Sequence, residues 1–177
     1  MPVQEGNEWV REFLTITPDF PKKGIMFISY ERLLRSPDDF HRVIEGFAER
    51  YKDKNLDAVV GLDARGFIFG SALAYELNVP FVMVRKGGKL PGKTECVEYA
   101  LEYGKSVFEL GCNSLENGEK VVIIDDLLAT GGTMSAACEL VEKVGAVVVE
   151  TACFLEISFL KGREKIGRPF FAYLDDR

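Results

Sequence analysis

Val121 to Thr133, VVIIDDLLATGGT, constrains this chain more than any other segment. The unbroken β-branched run Val121-Val122-Ile123-Ile124 suits a parallel strand buried on both faces. Asp125 and Asp126 then emerge at its carboxyl end, the edge at which open α/β sheets hold ligands. Ala129, Thr130, Gly131, Gly132 and Thr133 follow as a small-residue turn into a helix, MSAACELVEKV. Such a turn leaves backbone N–H groups unobstructed at the positive end of the helix dipole, an anion site that suits a phosphate monoester.

The two halves of the segment ask for a ligand with vicinal hydroxyls at one end and a phosphate at the other. A ribose 5-phosphate has that shape: carboxylates accept from hydroxyls, while the helix mouth and the Thr130 and Thr133 hydroxyls donate to phosphate. An ordinary buried strand with a polar exit, or the acidic pocket of a receiver-like domain, would begin in the same way. Neither requires strand, acid pair, glycine turn and helix in this order. No Lys follows the glycines where a Walker A loop needs one, and no G-x-G-x-x-G follows a strand.

With 177 residues, 47% of them apolar, the chain is long enough for one well-buried domain and short for two. We expect a single domain over 1–177. A net charge of −6 and the lack of a five-residue basic run argue against nucleic-acid or membrane partners. Cys96, Cys112, Cys138 and Cys153 are scattered without a C-x-x-C pair, which indicates neither a zinc site nor a disulfide scaffold but reduced, mostly buried cytosolic thiols. The amino-terminal MPVQEGNEWVREFL has no signal-peptide pattern and no apolar run reaches membrane length, so a soluble cytoplasmic protein is expected.

Along the chain, strands and helices alternate, which implies an α/β fold with a mainly parallel, doubly wound sheet. A short helix is expected at Glu8 to Leu14, ended by the prolines at 18 and 21. Ser36 and Pro37 start a second helix. Strands are expected at Ala58 to Leu62, Phe81 to Val84, Ala146 to Leu155 and Pro169 to Tyr173, with a helix at Phe67 to Leu77 and Gly145 stopping the helix after the signature strand. GGKLPGK ought to be mobile, and the alternation around Glu102-Tyr103-Gly104-Lys105 reads as a hairpin. His41, the only histidine, lies in a charged amphipathic stretch and reads as a surface residue.

Positive charge for an anionic ligand comes from the middle of the chain. Gly61-Leu62-Asp63-Ala64-Arg65-Gly66 is a second strand-to-helix turn, and Arg65 at the first turn of its helix is disfavoured by the dipole unless an anion joins it. It is either a surface arginine paired with Asp63 or a pyrophosphate ligand. Arg85, Lys86 and Lys89 leave the next strand end. A solvated charge run is the usual source of such a cluster, but the intervening glycines would let this backbone close over a polyanion.

VVIIDDLLATGGT resembles the phosphoribosyl-pyrophosphate signature of the type I phosphoribosyltransferases. GLDARGFIFG, RKGGKLPG, LEYGK and FLEISFLKGREK extend the resemblance over nearly the whole chain, toward the adenine-using branch of that family, and FPKKGIMF is similar to its base-pocket stretch. The resemblance implies a type I phosphoribosyltransferase fold with a small hood at 1–35 and a mobile catalytic loop and hairpin at 86–106. It implies a cytosolic homodimer that forms AMP and pyrophosphate from adenine and phosphoribosyl pyrophosphate with Mg²⁺, bound mainly through that substrate, with no metal-ligating residues of the protein assigned. Carried over position by position, Asp125 and Asp126 meet the ribose, Ala129 to Thr133 the 5-phosphate, and Asp63, Ala64, Arg65, Arg85, Lys86 and Lys89 the pyrophosphate. Glu102 acts on the purine imidazole proton, with Tyr103 beside it in the loop. Met26, Ile28 and Leu127 line the base pocket, and Arg85 can reach the neighbouring subunit's site.

Where relatives commonly read F-R-D-I, this chain has Phe27-Ile28-Ser29-Tyr30; an arginine and an aspartate are lost. An oxo-purine enzyme of the same class and a non-enzymatic sensor of phosphoribosyl pyrophosphate are the competing readings. A DNA-bound sensor would be expected to carry a basic helix-turn-helix extension, which this acidic chain lacks. Sequence does not tell whether the Asp63-Ala64 peptide is cis.

Overall fold

The computed structural model describes residues 6–101 and 104–176, with the backbone alone at 100, 101, 104 and 105. Its elements run in the order β1 (Thr15–Pro18), β2 (Met26–Ser29), α1 (Glu31–Leu34), α2 (Pro37–Tyr51), β3 (Ala58–Leu62), α3 (Gly66–Leu77), β4 (Phe81–Lys86), β5 (Thr94–Leu101), β6 (Gly104–Gly111), β7 (Lys120–Leu128), α4 (Gly132–Lys143), β8 (Val147–Glu156), α5 (Arg163–Ile166) and β9 (Phe170–Asp175). Glu8–Phe13 before them is a 3-10 turn.

The main sheet has seven strands in the order β5-β6-β4-β3-β7-β8-β9. From β4 to β9 every pairing is parallel, while β6 joins β4, and β5 joins β6, antiparallel. The expected mainly parallel, doubly wound sheet is therefore present. β7, the middle of its five parallel strands, is buried on both faces: Val121 and Ile123 enter the apolar cluster on the α4 side, and Val122 and Ile124 the one shared with α2 and α3. That two-sided burial is why the run is continuous rather than alternating.

Two local details differ from expectation. Ser36 does not cap α2 with a bond to a backbone N–H; its hydroxyl donates to the Asp39 carboxylate, an acid in the first turn that takes the proton first. The stretch with prolines at 18 and 21 not only ends the preceding turn but enters an antiparallel two-stranded sheet, β1 with β2, in the register Thr15 to Ser29 and Pro18 to Met26. The segment before this hairpin is anchored to β9: Arg11 donates to the Asp175 carbonyl at 2.7 Å, and Asn7 to the Tyr173 carbonyl at 3.0 Å. Tyr30, directly after β2, is buried against Phe69 of α3 and Phe154 of β8. Cys96 is exposed rather than buried, because it lies on the outermost strand of the sheet, and all four thiols are free. His41 is exposed beside Glu45, and no helix among the described residues is long and apolar enough to cross a membrane.

Candidate active site

Three strand ends converge on one side of the sheet. β3 runs into the turn Asp63-Ala64-Arg65, β4 into Arg85-Lys86, and β7 into Ala129 to Gly131. The resulting cleft of ≈ 230 Å³ is lined by Arg65, Asp125, Asp126, Leu127, Leu128, Ala129, Gly131, Thr133 and Met134. Most of these are residues that the sequence singles out. Thr130 is exposed at the rim, and Lys86 and Lys89 are exposed beyond it.

The turn into α4 is shaped by backbone geometry. Gly131 sits at φ +80, and a Cβ there would overlap the carbonyl of Gly162, which itself presses against Ala129. Only glycine suits a left-handed position with backbone that close. The Lys161-Gly162-Arg163 segment is thus the floor beneath the phosphate-type turn, fixed in turn by Arg163 donating to the buried Glu156 at 2.7 Å. Sequence shows the glycines of 131 and 132 but has no local signal for this contact with the distant Gly162.

The acid pair behaves as two different groups. Asp125 accepts the Asp126 backbone N–H at 2.8 Å. Burial, reinforced by the charge of Asp126 beside it, pushes the Asp125 carboxyl well above the usual carboxylate range,. A Cβ on Gly66, the first residue of α3, would come within 2.8 Å of its Oδ1, so the helix start abuts this acid. Asp126 is buried and takes two donors on one oxygen: Arg65 Nη2 lies 2.8 Å from Oδ2, and the Tyr30 hydroxyl donates to it at 3.1 Å.

Arg65 stands at the amino-terminal cap of α3, where the helix dipole opposes its charge,. The anion that offsets this is Asp126, not Asp63. Asp63 instead accepts from Arg85 Nε at 3.1 Å and from the Lys86 backbone N–H at 3.4 Å. The Arg65–Asp63 pair weighed from the sequence is therefore not formed: Asp63 ties β4 to the second turn, and Arg65 ties α3 to β7. The Asp63-Ala64 peptide is cis.

Ile28 and Leu127 pack against the same apolar cluster. Met26 is 55% exposed on the hairpin and does not line the cleft. Glu102 and Tyr103 lie outside the described residues, between Leu101 and Gly104, whose pairing closes the expected β5–β6 hairpin. Two polar residues at or near the site go unnoticed in sequence. Tyr30 is one; the change from F-R-D-I is visible, but a hydroxyl that reaches across 96 residues to Asp126 is not. Glu109 of β6 is the other: its carboxylate accepts the successive backbone N–H groups of Gly88, Lys89 and Leu90 at 3.1, 2.6 and 2.6 Å. Burial works against its charge, and these bonds outweigh it, so the carboxyl is held below its usual range. An alternating strand offers no hint that one of its acids folds the preceding glycine loop around itself.

Comparison with known proteins agrees with this geometry. A family model described as "Phosphoribosyl transferase domain" matches residues 29–169. An adenine phosphoribosyltransferase of Roseiflexus castenholzii is 51% identical over 158 residues, covering 89% of this chain and 92% of the relative. The crystal structure of the Saccharomyces cerevisiae adenine phosphoribosyltransferase, in complex with adenine and an imino-altritol bisphosphate, superposes with a TM-score of 0.90 at 40% identity, over 94% of this chain and 97% of that one. The Giardia lamblia enzyme with 9-deazaadenine gives 0.93 at 35% identity, over 98% and 99%. Fold, cleft and sequence agree, and the chain belongs to the adenine phosphoribosyltransferase family of type I phosphoribosyltransferases.

Proposed function

We propose that this protein transfers the 5-phosphoribosyl group from phosphoribosyl pyrophosphate to adenine, releasing AMP and pyrophosphate in purine salvage. The observation that carries the reading is the cleft itself, in which an acid pair, a glycine turn at a helix mouth and a pyrophosphate-type arginine line one space at the carboxyl ends of parallel strands,. Asp125 and Asp126 receive the ribose hydroxyls, Ala129 to Thr133 the 5-phosphate, and Asp63, Ala64, Arg65, Arg85, Lys86 and Lys89 the pyrophosphate. Ile28 and Leu127, with Met26 on the hood formed by residues 1–35, bound the adenine pocket. The domain is taken as one unit over 1–177.

Breaking the bond from ribose C1 to pyrophosphate develops positive charge on the sugar and negative charge on the leaving group. Arg65 and the basic run after β4 stabilise the second, and the carboxylates the first. Arg65 must leave Asp126 to do this, which frees that acid for the ribose as the substrate binds. Glu102, with Tyr103 beside it, is assigned the purine imidazole proton, and closure of the 86–106 segment excludes the water that would capture the sugar cation.

Mg²⁺ fits here as an ion carried mainly on the substrate. Asp125 and Asp126 offer hard oxygen donors suited to it, Asp126 is already engaged by Arg65 and Tyr30, and the described residues contain no cluster of three or more His, Cys, Asp or Glu that could hold a metal alone. When bound it would neutralise part of the pyrophosphate charge. The protein is assigned to the cytoplasm and to a homodimer, in which Arg85 can exchange Asp63 for the neighbouring site.

The test is pyrophosphate release with phosphoribosyl pyrophosphate, Mg²⁺ and each purine base in turn. Release with adenine alone is expected. Release with an oxo-purine would reassign the pocket, and silence with every base would turn the reading toward a sensor.

A further inference from the structure

Tyr30 stands where F-R-D-I would place an isoleucine, and its hydroxyl donates to Asp126 Oδ2, the oxygen that Arg65 also holds. The two donors differ in freedom. The tyrosine ring is 5% exposed and wedged between Phe69, at 5.4 Å, and Phe154, at 5.3 Å. The Arg65 side chain is 41% exposed, on a long flexible stem. A substrate pyrophosphate competes for the guanidinium and leaves a buried carboxylate with one donor fewer, a costly state unless another remains. The tyrosine hydroxyl, held 3.1 Å from Oδ2 by the packing of its ring, is that remaining donor.

We propose that Tyr30 is a positioning residue for the ribose end of the substrate, holding Asp126 in its binding orientation while Arg65 moves to the pyrophosphate. This rests on the phosphoribosyl-transfer reading above. The packing of Tyr30 fixes the hydroxyl, the hydroxyl fixes one carboxylate oxygen, and the other oxygen is left to accept from a ribose hydroxyl. The hood hairpin, whose last strand leads directly into Tyr30, is coupled by the same bond to the ribose subsite as well as to the base.

The experiment is a calorimetric titration of phosphoribosyl pyrophosphate with Mg²⁺ into wild type, Tyr30→Phe, Asp126→Ala and the double variant, with melting temperatures and kinetic constants for each. Tyr30→Phe keeps the ring and removes only the hydroxyl. Affinity for phosphoribosyl pyrophosphate is expected to fall about 10-fold, the order of one hydrogen bond to a charged group, with the KM for adenine unchanged. In the Asp126→Ala background the same change is expected to cost less than about 2-fold, because the acceptor of its hydroxyl is gone. Unaltered affinity in Tyr30→Phe, or an equal loss with and without Asp126, would overturn the proposal in favour of ring packing. A wild type that binds phosphoribosyl pyrophosphate yet does not use adenine would overturn the base assignment while the titration still decides Tyr30. A wild type that does not bind it would overturn both.

Discussion

Asp125 and Asp126 are neighbours with opposite obligations. Their adjacency and their place directly after a buried apolar run are legible in the sequence, because a continuous β-branched run signals two-sided burial. Their partners are not legible. Arg65 is close in sequence to Asp63 but pairs with Asp126, since only the closed sheet brings β3 and β7 side by side. Asp125 carries the cost of the arrangement: burial and its charged neighbour raise its pKa above the unfolded value. A raised folded pKa gives stability that is fully present below the unfolded pKa and is lost as pH rises through the folded one. At neutral pH the native state therefore bears a penalty that a neutral isostere would relieve. Asp125→Asn keeps an oxygen for the Asp126 N–H and is expected to raise stability by about 1 kcal/mol, or ~2–4 °C in Tm for a chain of this size. Affinity for phosphoribosyl pyrophosphate should fall at the same time. Thermal melts and titrations at pH 7 check both; a variant that is less stable than wild type would mean that Asp125 is not strained by its charge.

Among the elements, those with strong burial patterns are the ones that sequence reads well. β3, α3 and α4 lie within a residue or two of their expected bounds, because the centre of a doubly wound sheet imposes long apolar runs and small residues at turns; β7 runs four residues past its apolar run to Leu128, because it stays paired with β8, so Asp125 and Asp126 lie inside the strand rather than beyond it. The hood hairpin escapes such reading. β1 is only four residues long and exposed throughout, so its pairing with β2 has neither periodicity nor burial to announce it, and prolines on both sides read as interruption. The contact beneath the α4 turn is equally silent, because it is made by backbone. Gly162 has an ordinary helical φ, and nothing but the nearness of the Ala129 carbonyl forbids a side chain there. Gly162→Ala is therefore expected to push the 129–131 turn, costing about 1–3 kcal/mol as an overpacked site does. The same shift should weaken phosphoribosyl pyrophosphate about 10-fold or more, since a phosphate site depends on N–H groups aimed to within a fraction of an ångström. Urea unfolding and a titration measure the two effects separately. A loss of stability with binding intact would remove the floor segment from any role in the phosphate site.

Across the whole molecule, the layers on the hood side are tied together by a buried ion pair as well as by apolar packing. Glu150 of β8 is buried and meets Arg50 of α2 through two bonds of 2.7 Å, with Lys54 3.4 Å away. The Arg50 guanidinium also lies over the Phe171 ring at 4.2 Å, so one side chain joins α2, β8 and β9. Burial alone would raise the Glu150 pKa; the bonds from Arg50 outweigh it, and the carboxyl is held below its usual range. The sign is then opposite to that of Asp125. A depressed folded pKa gives stability that is present above the unfolded value and lost as pH falls through the folded one. Replacing the arginine leaves Lys54 at 3.4 Å as the remaining cation, so burial regains weight and the carboxyl moves back up,. Arg50→Met preserves much of the packing over Phe171 and is expected to cost about 1–3 kcal/mol at pH 7, the order of charge-assisted bonds lost while Lys54 still faces Glu150,. The gap to wild type should narrow as the pH is lowered toward ~4, near the ordinary glutamate pKa, where Glu150 in the variant takes up a proton and its under-compensated charge disappears. Urea titrations of both proteins at pH 7 and near pH 4 decide this. A gap that stays constant over that interval would assign the loss to missing packing against Phe171 rather than to the stranded charge of Glu150.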